Sequence, residues 1–367
     1  MRAAVITLHS VCNYGTQLQV FATGEKLKQY FDEVVFIDYR RSDTYGLGLM
    51  RTFTKGNPIK IPIILPTLVY WKRLFGNFRK EYLNLTDKVY LSDSDFDGFE
   101  DIADVYFVGS DQVWNTGWNK GIIPPLYLSF VPEDKPKFAY SSSFGKDKLT
   151  DFEINESTQY IHKFQSISVR EESGVTILKE QYGYDKAVRI VDPTLAMPPS
   201  FWRELAPPVK VKGDYILIYN LNRSREFDRY AYELSKRTGI PIYRLCTRFD
   251  QVLRNGKSVV MPGIFDFVSL IDSAKYVLTD SFHATAFSMN MNTEPICVYP
   301  NNYSGRISEF LSLVCSLQRH VADFQDFDVV NRRVDFVTVN RILDEERRKV
   351  EKYLMSIFND IERKFLP

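Results

Sequence analysis

Cysteine is scarce in this chain. The four present, Cys12, Cys246, Cys297 and Cys315, sit far apart with no Cys-x-x-Cys pair, which argues against a zinc ribbon and a disulfide scaffold. The four histidines, His9, His162, His283 and His320, show no metal-ligand spacing. No apolar run reaches the roughly 18 residues of a spanning helix. Neither sign of charge is in excess: 47 Lys+Arg against 46 Asp+Glu give a formal net charge of +1. A general nucleic-acid binder carries a basic surplus, so nucleic acid is not an expected partner. The chain also lacks a Gly-x-Gly-x-x-Gly fingerprint, a Walker motif and a Gly-x-Ser-x-Gly elbow, which weakens nicotinamide, kinase and hydrolase readings. The start of the chain enters the apolar run Ala3–Leu8 at once, without the long hydrophobic region and cleavage site of a signal peptide. The expected location is the cytoplasm.

What is present suits a folded, two-domain protein. An apolar fraction of 44% with 14% aromatics, over 367 residues, can bury a real core, and the length suggests two domains. The run Ala3–Leu8, a polar turn through Asn13-Tyr14-Gly15, a helical pattern (Leu18, Phe21, Ala22, Leu27, Tyr30) and the run Val34–Ile37 read as strand, loop, helix, strand. That is a βαβ unit and favours a parallel sheet. Two later strand-like runs, Val105–Val108 and Ser166–Val169, end in the polar clusters Gly109-Ser110-Asp111-Gln112 and Arg170-Glu171-Glu172-Ser173. In open α/β sheets ligands bind at the carboxyl ends of strands, so these clusters are the first candidate sites.

Five prolines between Pro193 and Pro208 mark a boundary. A second α/β half follows, with strands at Tyr215–Tyr219, Ile242–Leu245, Tyr276–Leu278 and Pro295–Tyr299 and a helix at Glu226–Arg237. From Asn340 to Phe365 one apolar stripe (Ile342, Leu343, Val350, Tyr353, Leu354, Ile357, Phe358, Ile361, Phe365) predicts an amphipathic helix. The fold class expected is therefore α/β. Two Rossmann-like domains, 1–195 and 210–340, face each other across a cleft, and a C-terminal helix, 341–367, crosses between them.

Several residues suit chemistry at such a cleft. His9 and His283 each follow a strand, one in each half, and histidine titrates near neutral pH. Arg170 has the fork that grips a carboxylate or phosphate, although an ordinary helix-start ion pair is the plainer reading. Asp111 can orient a sugar hydroxyl or cap a helix. Trp114 can stack on a sugar face, though tryptophan more often lies in a core.

Five blocks, in order, resemble the polysaccharide pyruvyl transferase family. They are His9-x-x-x-Asn13-Tyr14-Gly15-Thr16-x-Leu18-Gln19, Val108–Asn115, Ser168-Val169-Arg170-Glu171, Val191-Asp192-Pro193-Thr194 and Leu278–Ser288, with Ser304-Gly305-Arg306-Ile307 as a weaker sixth. The resemblance implies a GT-B-like fold, phosphoenolpyruvate as donor, a sugar as acceptor, and a reaction that needs no metal and no redox cofactor. The acceptor would be a hexose of a bacterial cell-surface polysaccharide or its lipid-linked precursor, and the products a pyruvate ketal and inorganic phosphate. It points to Arg170 and His283 for donor binding or catalysis, with Ser281 beside them. Where some members have Arg-Leu-His, this chain has Ser281-Phe282-His283; Arg306 or Arg223 is expected to supply the missing guanidinium. His9 or Asp111 is the expected base, with Asn13, Tyr14, Asp111, Gln112 and Trp114 on the acceptor side. Alternatives are a GT-B glycosyltransferase that uses a nucleotide sugar, and a non-catalytic subunit of a polysaccharide-assembly complex.

One further absence is local. From Thr44 to Lys80 there is no Asp or Glu, while Arg51, Lys55, Lys60, Lys72, Arg73, Arg79 and Lys80 are basic and Ile61–Phe75 is apolar and aromatic. Such a segment is either a helix packed on its own domain or a lip at the inner membrane surface.

Overall fold

The computed structural model describes residues 1–222, 224–299 and 305–365, the side chains of 364 and 365 excepted. The chain divides into two compact units. The first is Met1–Gly56, Phe75–Ala196 and Glu346–Pro367; the second is Asn57–Leu74 and Met197–Glu345.

Among the described residues the first unit has seven strands: β1 (Arg2–Ile6), β2 (Glu33–Tyr39), β3 (Leu85–Tyr90), β4 (Val105–Val108), β5 (Lys137–Ser142), β6 (Ser166–Val169) and β7 (Val188–Arg189). They form one parallel sheet in the order β3-β2-β1-β4-β5-β6-β7. Central strands such as Val105-Tyr106-Phe107-Val108 are buried throughout, as expected where helices cover both faces of a parallel sheet. The strand order reverses between β1 and β4, which pair in register from Ala3↔Val105 to Ile6↔Val108.

The second unit repeats the plan with β8 (Ile216–Tyr219), β9 (Ile242–Cys246), β10 (Lys257–Val260), β11 (Tyr276–Thr279) and β12 (Glu294–Cys297). The sheet is parallel, in the order β10-β9-β8-β11-β12, and reverses between β8 and β11. Each unit has its own apolar cluster, one built around Trp114 and Phe144, the other around Ile218, Tyr230 and Leu278.

Five helices matter below: α1 (Tyr14–Leu27), α2 (Ile61–Tyr82), α3 (Glu172–Tyr182), α4 (Phe282–Met291) and α5 (Phe336–Phe365). Two of them depart from the expected domain plan. The expected first domain, 1–195, takes in segment 44–80 whole, yet residues 57–74 group with the second unit. The cause is local packing. The Trp71 ring N–H donates to the Thr247 carbonyl at 2.7 Å, and the Phe249 N–H donates to the Thr67 hydroxyl at 3.2 Å. α5 begins five residues before 341, and its turns from Glu346 onward belong to the first unit. There Val350, Leu354, Ile357 and Ile361 are buried and the Tyr353 hydroxyl donates to the Ala139 carbonyl at 2.8 Å. The prolines at the boundary start helices as well as limit them: Pro193 and Pro199 each open a short one, where the missing N–H does no harm. No described helix is long and apolar enough to cross a membrane.

Candidate functional site

In the first unit, polar residues collect at the carboxyl ends of β1, β4, β5 and β6, around the point where the strand order reverses. Asp111 lies at the centre. It follows β4 with a φ of +75°, a left-handed conformation that costs a non-glycine residue about 1–3 kcal/mol and recurs at functional sites. Local bonds hold it there: the Gln112 N–H donates to Oδ1 at 2.9 Å and the Thr16 hydroxyl to Oδ2 at 2.8 Å. Thr16 stands in the first turn of α1, which Asn13 caps by accepting from the Thr16 N–H at 3.3 Å. The loop before the helix is tied by Gln17, whose amide donates to the His9 and Val11 carbonyls at 2.7 and 2.8 Å.

Arg170, expected as a clamp for the donor anion, is enclosed by carboxylates of its own unit. Its side chain is 2% exposed; Nε donates to Glu171 at 2.9 Å, one terminal nitrogen to Asp192 at 2.8 Å, and the other lies 3.9 Å from Asp111. Burial alone would push the guanidinium down, but Glu171, Asp192 and Asp111 hold it firmly protonated. Asp192 is itself saturated by Thr194 through N–H (2.9 Å) and hydroxyl (2.7 Å), and by Ser110 at 3.3 Å. Among the described residues one cation stands among three carboxylates, and the guanidinium is a strut that fixes Asp111 and Asp192. Asp192 has no role among the sequence expectations; an Asp two residues before a Thr, after a strand, is the signal for a capping carboxylate.

Other expected residues are placed differently. His9 is buried, with Nε2 3.0 Å from Asp38 and Nδ1 3.4 Å from the Thr7 carbonyl. Burial pushes the imidazole below its ordinary value. Burial also pushes the Asp38 carboxyl up, but hydrogen bonds from His9 and a two-point contact from Arg40 outweigh it and hold the group well below the usual range. Both ring nitrogens of His9 are thus directed at neighbours, and the residue does not present a base. Trp114 lies in the core, its ring N–H donating to the Leu126 carbonyl at 2.9 Å and its face stacked on Tyr127. Tyr14 is buried edge-on against Phe75. Neither ring can stack on a sugar. Gln112 is half-buried and accepts from the Asn115 amide at 2.5 Å.

The second unit builds its own cluster where its strand order reverses. Asp280, after β11, accepts from the Leu221 and Asn222 N–H groups at 2.7 and 2.8 Å and from the Asn222 amide at 3.0 Å, pinning the loop that follows β8. Burial pushes the Asp280 carboxyl up, against those three donors. Ser281 caps α4, accepting from the Ala284 N–H at 3.4 Å. His283 is buried in the first turn, where N–H groups and the helix dipole favour negative charge. Its ring meets Phe282 edge-on, and the Arg306 guanidinium carbon lies 6.0 Å from the Phe282 ring centre. Ser281, His283 and Arg306 thus gather around the N-terminus of α4. Arg223 lies outside the described residues.

The sequence model of the polysaccharide pyruvyl transferases matches residues 13–302. The chain belongs to the polysaccharide pyruvyl transferase family. The match takes in Asp111, Arg170 and His283 and leaves out His9 and Arg306. No curated protein matches the chain in sequence. Solved structures resemble it in fold. A UDP-N-acetylglucosamine 2-epimerase from Rickettsia bellii is 10% identical, with 100% of this chain and 99% of that one covered and a TM-score of 0.52. LpCGTa, solved in complex with UDP, is 9% identical, with 98% and 99% covered and a TM-score of 0.51. The UDP-GlcNAc 2-epimerase from Methanocaldococcus jannaschii is 12% identical, with 95% and 94% covered and a TM-score of 0.50. This family member therefore has the α/β architecture of GT-B glycosyltransferases and related epimerases, with one parallel sheet in each unit.

Proposed function

We propose that this pyruvyl transferase family member moves the pyruvyl group of phosphoenolpyruvate onto two hydroxyls of a polysaccharide sugar, forming a cyclic ketal and inorganic phosphate. The family match over residues 13–302 carries the reading. Charge divides the labour. Phosphoenolpyruvate brings about three negative charges, which suit helix N-terminal N–H groups and a guanidinium. The Arg170 guanidinium is already held by Glu171, Asp192 and Asp111, so the donor is assigned to the second unit, at the N-terminus of α4 with Ser281, His283 and Arg306. His283 protonates the donor's methylene carbon. A sugar hydroxyl then attacks the cationic carbon and gives up its proton; the C–O bond to phosphate breaks, the leaving phosphate takes up that proton, and the second hydroxyl closes the ring and returns its proton to His283. We assign the hydroxyl proton to Asp111, whose carboxylate is held in place by Thr16 and Gln112 where the first unit's strand order reverses. Acid and base each contribute roughly 10²–10⁴-fold.

Calorimetry and phosphate-release assays separate the two roles. Arg306→Ala is expected to weaken phosphoenolpyruvate binding by about tenfold or more, the value of a lost charged hydrogen bond. Asp111→Asn is expected to leave that binding unchanged and cut turnover by about 10²–10⁴-fold. Unaltered donor affinity in Arg306→Ala would remove the donor from this place.

A further inference from the structure

α2 already has a buried face. Ile64, Thr67 and Trp71 point inward at helical spacing, and Trp71 and Thr67 bond to the Thr247–Phe249 segment of the same unit. A helix packed on one side carries polar residues on the other. Here the opposite face is apolar for its first turns. Ile63 is 56% exposed and Val69 62%, Leu65, Tyr70, Pro62 and Pro66 are exposed beside them, and Ile59 just before the helix is 79% exposed. The apolar surface continues onto the neighbouring turn, where Phe249 meets Tyr70 edge-on and Leu253 is 90% exposed.

The charge on the helical part of this patch has one sign, and on the turn Asp250 is paired with Arg248 at 2.8 Å. Lys60 precedes the helix, Lys72 and Arg73 follow the exposed apolar turns, all three are exposed, and no acidic residue occurs between Thr44 and Lys80. We infer that residues 57–74 and the turn Phe249–Leu253 form a docking surface for an anionic lipid bilayer. The apolar side chains enter the headgroup boundary, and the flanking cations meet lipid phosphates. A second copy of the chain fits less well, since a two-fold contact would set Lys60, Lys72 and Arg73 against themselves. The surface contains no residue of the donor or acceptor clusters, so the inference stands apart from the chemistry proposed above.

Co-sedimentation of the full chain with vesicles tests it. The chain is expected to pellet with vesicles of equal parts phosphatidylglycerol and phosphatidylcholine, to stay in solution with phosphatidylcholine alone, and to be released by salt. At about fivefold per basic residue, Lys60→Gln, Lys72→Gln and Arg73→Gln together lower the partition on the order of 100-fold. Ile63→Glu with Val69→Glu, at exposed positions, abolishes pelleting without changing the melting curve. Wild type that ignores anionic vesicles overturns the inference, and the salt and lipid arms need no variant. Self-association in the absence of lipid that is lost in the Ile63→Glu/Val69→Glu variant would also overturn it, making the patch an interface between copies.

Discussion

Arg170 follows the plainer of its two readings, an ion pair at a helix start with Glu171, while its partners Asp192 and Asp111 were not legible. A guanidinium following a strand announces a grip on carboxylates; the structure supplies them from Glu171, Asp192 and Asp111. Only the tertiary arrangement, with β4 and β6 carrying their loops to one edge of the sheet, makes the anion internal. Arg170→Ala is therefore expected to lower stability by about 3–5 kcal/mol, since it strands buried carboxylates. A urea midpoint equal to wild type would contradict the strut. Acid should act in the same direction. His9 is held below its ordinary value by burial and stays neutral in the fold, so the unfolded chain takes up that proton first as pH drops past about 6.5. Asp38 and Glu153 also have lowered values: burial pushes each up, but His9 and Arg40 outweigh it for Asp38, and Lys146, Thr116 and Thr150 bring Glu153 to about 2. Their stabilisation is present above the unfolded carboxylate range and is lost as pH falls through the folded values. Urea melts should show stability declining from about pH 6.5 and again below about pH 4; a flat profile over both windows would refute the assignment.

At the scale of elements, the sequence was readable where strands are apolar and buried on both faces. Val105–Val108 and Ser166–Val169 have the expected bounds, and β8, β9 and β11 each differ by one residue. β5, Lys137-Phe-Ala-Tyr-Ser-Ser142, was missed although it is fully buried, because its serines and lysine break the apolar signal. Those serines are buried for what they bond: Ser142 donates to the Gly109 carbonyl and Ser141 to the Val191 carbonyl, both at 3.0 Å. The edge strands β3, β7 and β10 were missed because they are short or half exposed. The close pairing of β1 with β4 is another tertiary feature. A Cβ on Gly109 would lie 2.9 Å from the Thr7 Cβ, whereas one on Gly76 in α2 meets nothing within 4 Å. Gly109→Ala should destabilise by about 1–3 kcal/mol and Gly76→Ala should stabilise by about 0.5–1 kcal/mol. Thermal melts check the pair, and equal melting temperatures would deny that the two strands meet so closely.

For the whole molecule, two α/β units were legible from the repeated strand–helix pattern and the proline-rich boundary. Membership of α2 was not, because an apolar helix does not announce which neighbour takes its buried face; Trp71 and Thr67 decide it through Thr247 and Phe249. Each unit places its polar cluster where its own strand order reverses, the location at which open α/β sheets hold ligands. The fold is shared with UDP-GlcNAc 2-epimerases, and a shared fold leaves the donor open. The decisive measurement is calorimetric titration of the wild-type chain with phosphoenolpyruvate beside a parallel titration with UDP-sugars. The account predicts saturable binding of phosphoenolpyruvate, lost in His283→Ala, and none of the nucleotide sugars. Binding of a UDP-sugar with no response to phosphoenolpyruvate would contradict it.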